Sequence, residues 1–130
     1  MNITEKIKQI KQLRAQKNHA IRLEYENTRP MKNDLGDIER LYEVFKTIAK
    51  KGYEYNDRIF VLLIFFMYSP ISFGGMRMFR SGLRSKLAKV MGTTNRSITN
   101  YFGDAKSLII NHKGFREETE RIYDALSTEV

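Results

Sequence analysis

Positions 59–68 read Ile59, Phe60, Val61, Leu62, Leu63, Ile64, Phe65, Phe66, Met67 and Tyr68, ten successive side chains without a charge. A helix built from them is apolar on every side, so it has no face to offer to water and must be surrounded by other elements. A bilayer core asks for about 20 such residues. Pro70, Gly74 and Gly75 break the run well before that length, so a buried central helix is expected and a membrane partner is not. The 130-residue chain is long enough for one hydrophobic core. No alternating strand pattern and no internal repeat accompanies the run. The expected fold is therefore all-α, a compact helical domain with a long N-terminal helix.

The flanking segments supply the wrapping. Asp34 is placed to cap a helix carrying Leu35, Ile38, Leu41, Tyr42, Phe45, Ile48 and Ala49 at 3.6-residue periodicity, closed by Lys50, Lys51 and Gly52. Asn56 or Asp57 is expected to cap the central helix. Near the C-terminus, a helix over residues 104–113 is expected, and another after Gly114. Phe115, Thr119, Ile122, Tyr123 and Leu126 line the inner face of the last one. Its Glu117, Glu118, Glu120 and Asp124 read as a solvated outer face rather than an acid/base pair. Residues 1–30 read as a separate basic arm and linker ahead of a helical domain over 31–130. In the arm, a helix over residues 4–26 has a seam of Ile3, Ile7, Ile10 and Ile21, with Leu13 beside it and Arg14 and Lys17 interrupting it. That seam is where a homodimer or another protein partner would dock. Residues 27–33, with Pro30, form the linker.

Charge is distributed unevenly within a formal total of +8. Residues 1–22 hold six Lys or Arg against Glu5 alone, and residues 58–103 hold seven against no acid at all. A basic surface of this kind attracts the phosphate backbone of nucleic acid. With no cysteine, disulfides and thiolate metal sites are excluded, which fits a reducing interior such as the cytoplasm of a bacterial or phage-infected cell. His19 and His112 have no second ligand at metal spacing, and His112 reads as a cap near a helix C-terminus. Ser69, Ser72, Ser81 and Ser85 lack a recognisable base partner. The glycine-rich loop over 71–82 matches neither phosphate-binding fingerprint. No catalytic residue, metal or cofactor is therefore expected.

Inside the acid-free window, residues 83–102 meet the requirements of a helix-turn-helix. Ala88 is small where two helices cross, Gly92 tolerates the positive φ that opens the turn, and Leu87 and Met91 complete the inner face. Ile98 and Tyr101 anchor the second helix from beneath, and Thr94 or Asn95 caps it. The outward face then offers Asn95, Arg96, Thr99 and Asn100 as base readers, since Arg suits guanine edges and Asn adenine edges. Arg77, Arg80, Arg84, Lys86 and Lys89, with the hydroxyls of Thr94 and Ser97, are the expected phosphate contacts, which position the protein without reading sequence.

Through Ala88, Gly92, Ile98, Tyr101, Phe102 and Leu108, residues 83–109 resemble the reading head of TetR-type repressors within the wider helix-turn-helix superfamily. Thr99 and Ala105 stand where that family usually has Tyr and Lys, and Thr93 where it buries Val. The family also carries the unit at its N-terminus ahead of a large ligand-binding domain, whereas 21 residues follow Ile109 in this chain. The resemblance implies the fold of the unit and double-stranded DNA as its partner, and implies no ligand switch. The expected role is a small helix-turn-helix DNA-binding protein of phage or bacterial regulator type. The alternative is an adaptor in a nucleic-acid-containing assembly such as a virion, using the same fold for protein contacts.

Overall fold

The computed structural model describes residues 2–15, 29–74 and 80–129. Six α-helices and no strand are found among them: α1 Ile3–Ala15, α2 Ile38–Ile48, α3 Asn56–Tyr68, α4 Leu83–Met91, α5 Asn95–Asn111 and α6 Lys113–Ser127. The fold is all-α, as its sequence pattern requires. No helix among the described residues is long and apolar enough to cross a membrane.

The central position of α3 follows from its composition. Every side chain from 59 to 68 is buried. Phe60 packs at 4.8 Å from Tyr42 and 5.0 Å from Phe45 on α2. Phe65 stacks on Phe102 of α5 at 4.2 Å between ring centroids, and Phe66 meets Tyr123 of α6 at 5.6 Å. Past Ser69 the chain turns through a 3-10 segment, Pro70–Gly74, which delivers Phe73 to within 5.1 Å of the Phe102 ring. Phe102 thus closes an aromatic cluster drawn from three elements.

Helix starts differ from the sequence expectation where side chains are recruited elsewhere. Asp34 does cap, but it caps the 3-10 turn Leu35–Asp37 by accepting from Gly36 N at 2.9 Å, and α2 begins after that turn. The Gly52 turn lies beyond the end of α2, which stops at Ile48 with Ala49 extended. Asn56 does not cap α3, because its Nδ2 donates to the Lys50 carbonyl at 2.8 Å and ties down the preceding turn. His112 stands at the C-terminus of α5, as expected, where its backbone N–H donates to the Leu108 carbonyl at 2.9 Å, and it also opens α6. Its Nδ1 accepts from Phe115 N at 2.9 Å, so the imidazole caps α6 with a lone pair. The inner face of α6 is as expected for Phe115, Thr119, Ile122 and Leu126, all buried, with Tyr123 half-buried.

The first helix is joined to the same core. Ile3, Ile7 and Ile10 are buried in one cluster with the side chains of α3, α5 and α6. Glu120 of α6, expected on a solvated face, instead reaches the start of α1. Its two carboxylate oxygens accept from Ile3 N at 3.2 Å and Thr4 N at 2.6 Å. A carboxylate at a helix N-terminus satisfies orphan amides and complements the dipole. The seam read as a partner-docking face is therefore occupied from Ile3 to Ile10 by this domain. Ile21 and the C-terminal half of the expected 4–26 helix lie outside the described residues, as does His19.

The linker ahead of α2 is pinned at the end of α3, where the Met67 carbonyl accepts from Met31 N at 2.8 Å and Lys32 N at 3.1 Å. Tyr68, 1% exposed, donates its hydroxyl to the Asp34 carbonyl at 2.8 Å. Burial, reinforced by Asp37 and Asp34, pushes its phenol up to about 12.

Two outcomes follow from this packing. Phe102→Ala should cost about 3–5 kcal/mol in denaturant unfolding, as for other buried aromatic truncations. Tyr68 favours the fold in its neutral form, so its contribution is complete below pH 10 and lost as pH rises toward 12. Tyr68→Phe should lose about 1 kcal/mol at neutral pH and show a shallower decline of unfolding free energy than the native chain over that alkaline window.

Candidate nucleic-acid interface

Helices α4 and α5 form the helix-turn-helix, and each turn residue has a definite task. Gly92 adopts φ +68°, and the reversal is closed by Gly92 N donating to Lys89 O at 3.3 Å and Thr93 N to Ala88 O at 2.8 Å. These are the paired bonds of a Schellman ending, which need a left-handed residue after the helix. Thr94 then takes an extended conformation and its Oγ1 accepts from Ser97 N at 3.1 Å, capping α5. Leu87, Ala88 and Ile98 are buried at the crossing.

Phe102, rather than Tyr101, is the aromatic anchor beneath α5. Phe102 is 2% exposed, whereas Tyr101 is half-buried under the Arg58 guanidinium at 5.0 Å. The second departure is the length of α5. Expected to break near residue 103, it continues unbroken to Asn111. Ile98, Phe102, Ala105 and Ile109 form one buried stripe at 4-3-4 spacing, and that packing outweighs the weak helix propensity of Gly103. Gly103 faces open space.

The expected base readers all lie on the exposed first turns of α5, in two kinds of environment. Asn95 Nδ2 donates to Ser85 Oγ at 3.2 Å, and Thr99 Oγ1 accepts from Arg84 Nη1 at 3.0 Å while donating to Asn95 O at 3.1 Å. These two hydroxyl and amide groups brace α5 against α4. Arg96 and Asn100, four residues apart and exposed on one face, have no side-chain hydrogen-bond or ion-pair partner among the described residues.

The expected phosphate contacts are dispersed. Arg84 stays beside α5 through Thr99. On the opposite edge of α4, Lys86 pairs with Glu39 of α2 at 3.4 Å. Lys89 borders a shallow 380 Å³ cleft with Val90, Glu39, Arg40, Tyr42 and Glu43. Both lysines therefore neighbour acids of α2 that a sequence window over 83–102 does not contain. Arg80 is turned inward, donating to the Asn33 carbonyl with its guanidinium 5.8 Å from the Tyr68 ring. It serves the joint between chain segments rather than a ligand. Ser97 is half-buried behind Thr94, whose hydroxyl it accepts from at 3.1 Å. Arg77 lies outside the described residues.

Four charged groups not singled out from sequence belong to this surface. Asp104 is the first acid after the acid-free window and pairs with Arg58 at 3.2 Å on one flank of α5. Lys106 lies with its ammonium 4.8 Å from the Phe102 ring, and Lys11 of α1 donates to the Lys106 carbonyl at 3.5 Å. Burial, and then the charge of Lys11, hold the Lys106 ammonium below the usual lysine range. Lys106 was legible only once α5 is known to be continuous, since it then falls one heptad beyond Thr99. Lys11 had no sequence signal linking it to the motif.

Elsewhere, a 460 Å³ cleft lined by Lys50, Tyr53, His112, Gly114, Glu117, Glu118 and Arg121 carries balanced charge. Arg121 there is committed to Glu118 and to the Ile48 carbonyl. No cluster of three or more candidate metal ligands occurs among the described residues. The chain matches no protein-family model, no curated protein and no solved structure.

The turn gives a direct check of its own geometry. A Cβ at Gly92 would meet nothing within 4 Å, so Gly92→Ala suffers only from the left-handed backbone. It should destabilise by about 1–2 kcal/mol, seen as a lower denaturant midpoint with an unchanged slope.

Proposed function

We propose that this chain binds double-stranded DNA with α5 as the reading helix, in the manner of a small phage or bacterial regulator. The observation that carries the reading is the exposed pair Arg96 and Asn100, without side-chain partners among the described residues, on one face of a capped, rigidly seated helix. A helix is about 10–12 Å across and the major groove about 12 Å wide, so the first turns of α5 fit with that face toward the base edges. Arg96 is matched to the two acceptors of guanine, and Asn100 to the acceptor and donor of adenine. Asn95 and Thr99 hold the angle between α4 and α5, and Thr99 presents Arg84 to the adjoining strand. The α5 N-terminus carries a partial positive charge that favours nearby phosphate.

No acid interrupts α5 before Asp104, whose charge is partly offset by Arg58. That distribution supports a polyanionic partner.

Fluorescence anisotropy with random duplex DNA, titrated from low to physiological salt, tests the reading. Binding should weaken steeply and linearly in log K against log salt, with a slope set by the number of phosphates engaged. No binding at low salt would remove the DNA reading in favour of protein contacts by the same motif. After selection of a preferred site, Arg96→Ala should weaken that site by about 1–3 kcal/mol and relax specificity at one position. An equal loss on every sequence would deny Arg96 the reading role.

A further inference from the structure

Seven residues separate Thr99 from Lys106 on α5, which places them about 20° apart around the helix and about 10 Å apart along it. They therefore share one flank. At its N-terminal end, Arg84 of α4 bonds Thr99 Oγ1 at 3.0 Å. At the other end, Lys106 lies over Phe102 and Lys11 of α1 reaches the Lys106 carbonyl at 3.5 Å. Three helices thus deliver Arg84, Lys106 and Lys11 to one side of the reading helix.

Among the described residues, no acid answers these cations. Glu5, the one acid among residues 2–15, lies about 120° around α1 from Lys11. The carboxylate of Glu120 is taken up by the Ile3 and Thr4 amides. Asp104 lies on the other flank of α5, where it meets Arg58. The charge of Lys11 acts unfavourably on the Lys106 ammonium, and an anion bound near both relieves that cost.

We propose that this flank is a phosphate track for one strand of duplex DNA, and that α1 is part of the interface through Lys11. This rests on the reading of α5 as the helix in the groove. A helix seated in the major groove has its flanks against the groove walls, which are the phosphate strands. A track of about 10 Å along one groove wall is long enough to meet more than one phosphate of the same strand. The opposite flank, with Asp104, makes no equivalent contact. The track holds the protein on DNA without reading sequence, while Arg96 and Asn100 do the reading.

The test compares the salt dependence of random-duplex binding for the full chain, Lys11→Gln, the double variant Lys11→Gln/Lys106→Met, and Lys50→Gln as a cation off the track. The Met side chain keeps the aliphatic cover over Phe102, and circular dichroism checks the fold. Removing one cation from a phosphate should reduce the slope of log K against log salt by about 0.9. The expected shifts are therefore about 0.9 for Lys11→Gln and about twice that for the double variant, uniform across sequences, with none for Lys50→Gln. If the native chain binds with a steep slope and the double variant keeps it, the track is wrong while the α5 reading stands. An equal loss in Lys50→Gln would reduce the effect to net charge and also overturn the track. Failure of the native chain to bind at all would overturn the DNA reading itself, and the track with it.

Discussion

Burial of α3 around its whole circumference is the constraint from which the rest of the structure follows. Each large apolar side chain along it contributes about 1.5–3 kcal/mol when removed from water, and all ten residues from 59 to 68 are buried. A single neighbouring helix covers only one stripe, so several must converge. Helix α2 supplies Tyr42 and Phe45, α5 supplies Phe102, α6 supplies Tyr123, and the Pro70–Gly74 turn folds Phe73 back over the same cluster. Helix α1 seals the arrangement with three isoleucines. The order of elements in space is thus a solution to covering one uniformly apolar rod.

The proposed interface is a by-product of that solution. Because Ile98, Phe102, Ala105 and Ile109 are all claimed by the core, α5 must turn Arg96 and Asn100 outward. The Gly92 reversal and the Thr94 cap set where α5 begins, and the bonds from Asn95 to Ser85 and from Arg84 to Thr99 set its angle to α4. None of the cations along the proposed track is needed to bury α3. Lys106 contributes its aliphatic stem over Phe102, but its charge offers nothing to the core. At Lys11 and Lys106 fold and charge are therefore separable, which makes charge-removing variants there informative about binding rather than stability.

The position of α1 alters how its charges are understood. A basic arm free in solution adds a diffuse attraction to any polyanion. A basic helix tied down by Ile3, Ile7, Ile10 and Glu120 instead presents Lys11 at a fixed place beside α5. Fixed placement favours a contact with defined geometry, because less side-chain and backbone freedom is lost on binding.

The central helix, the stripes of α2 and α6, and the Gly92 turn with its Thr94 cap were all legible in the sequence. Their causes are local: hydrophobic periodicity, a residue that tolerates positive φ, and a hydroxyl one turn ahead of an amide. The exposed placement of Asn95, Arg96, Thr99 and Asn100 followed from the same periodicity. What the sequence left open depends on residues far apart in the chain. The helix expected over 104–113 looked separate from the motif, because the buried stripe that makes it one helix with the motif's second exists only against α3. Arg80, Lys86 and Lys89 looked equivalent to Arg84, yet Asn33 and Tyr68 hold the first and the acids of α2 border the other two. Glu120 looked solvated until α1 brought two unpaired amides to it. Sequence determined which segments are helical and which face each must bury; only the tertiary structure decided which charges meet, because Coulomb and hydrogen-bond partners are chosen by distance in space.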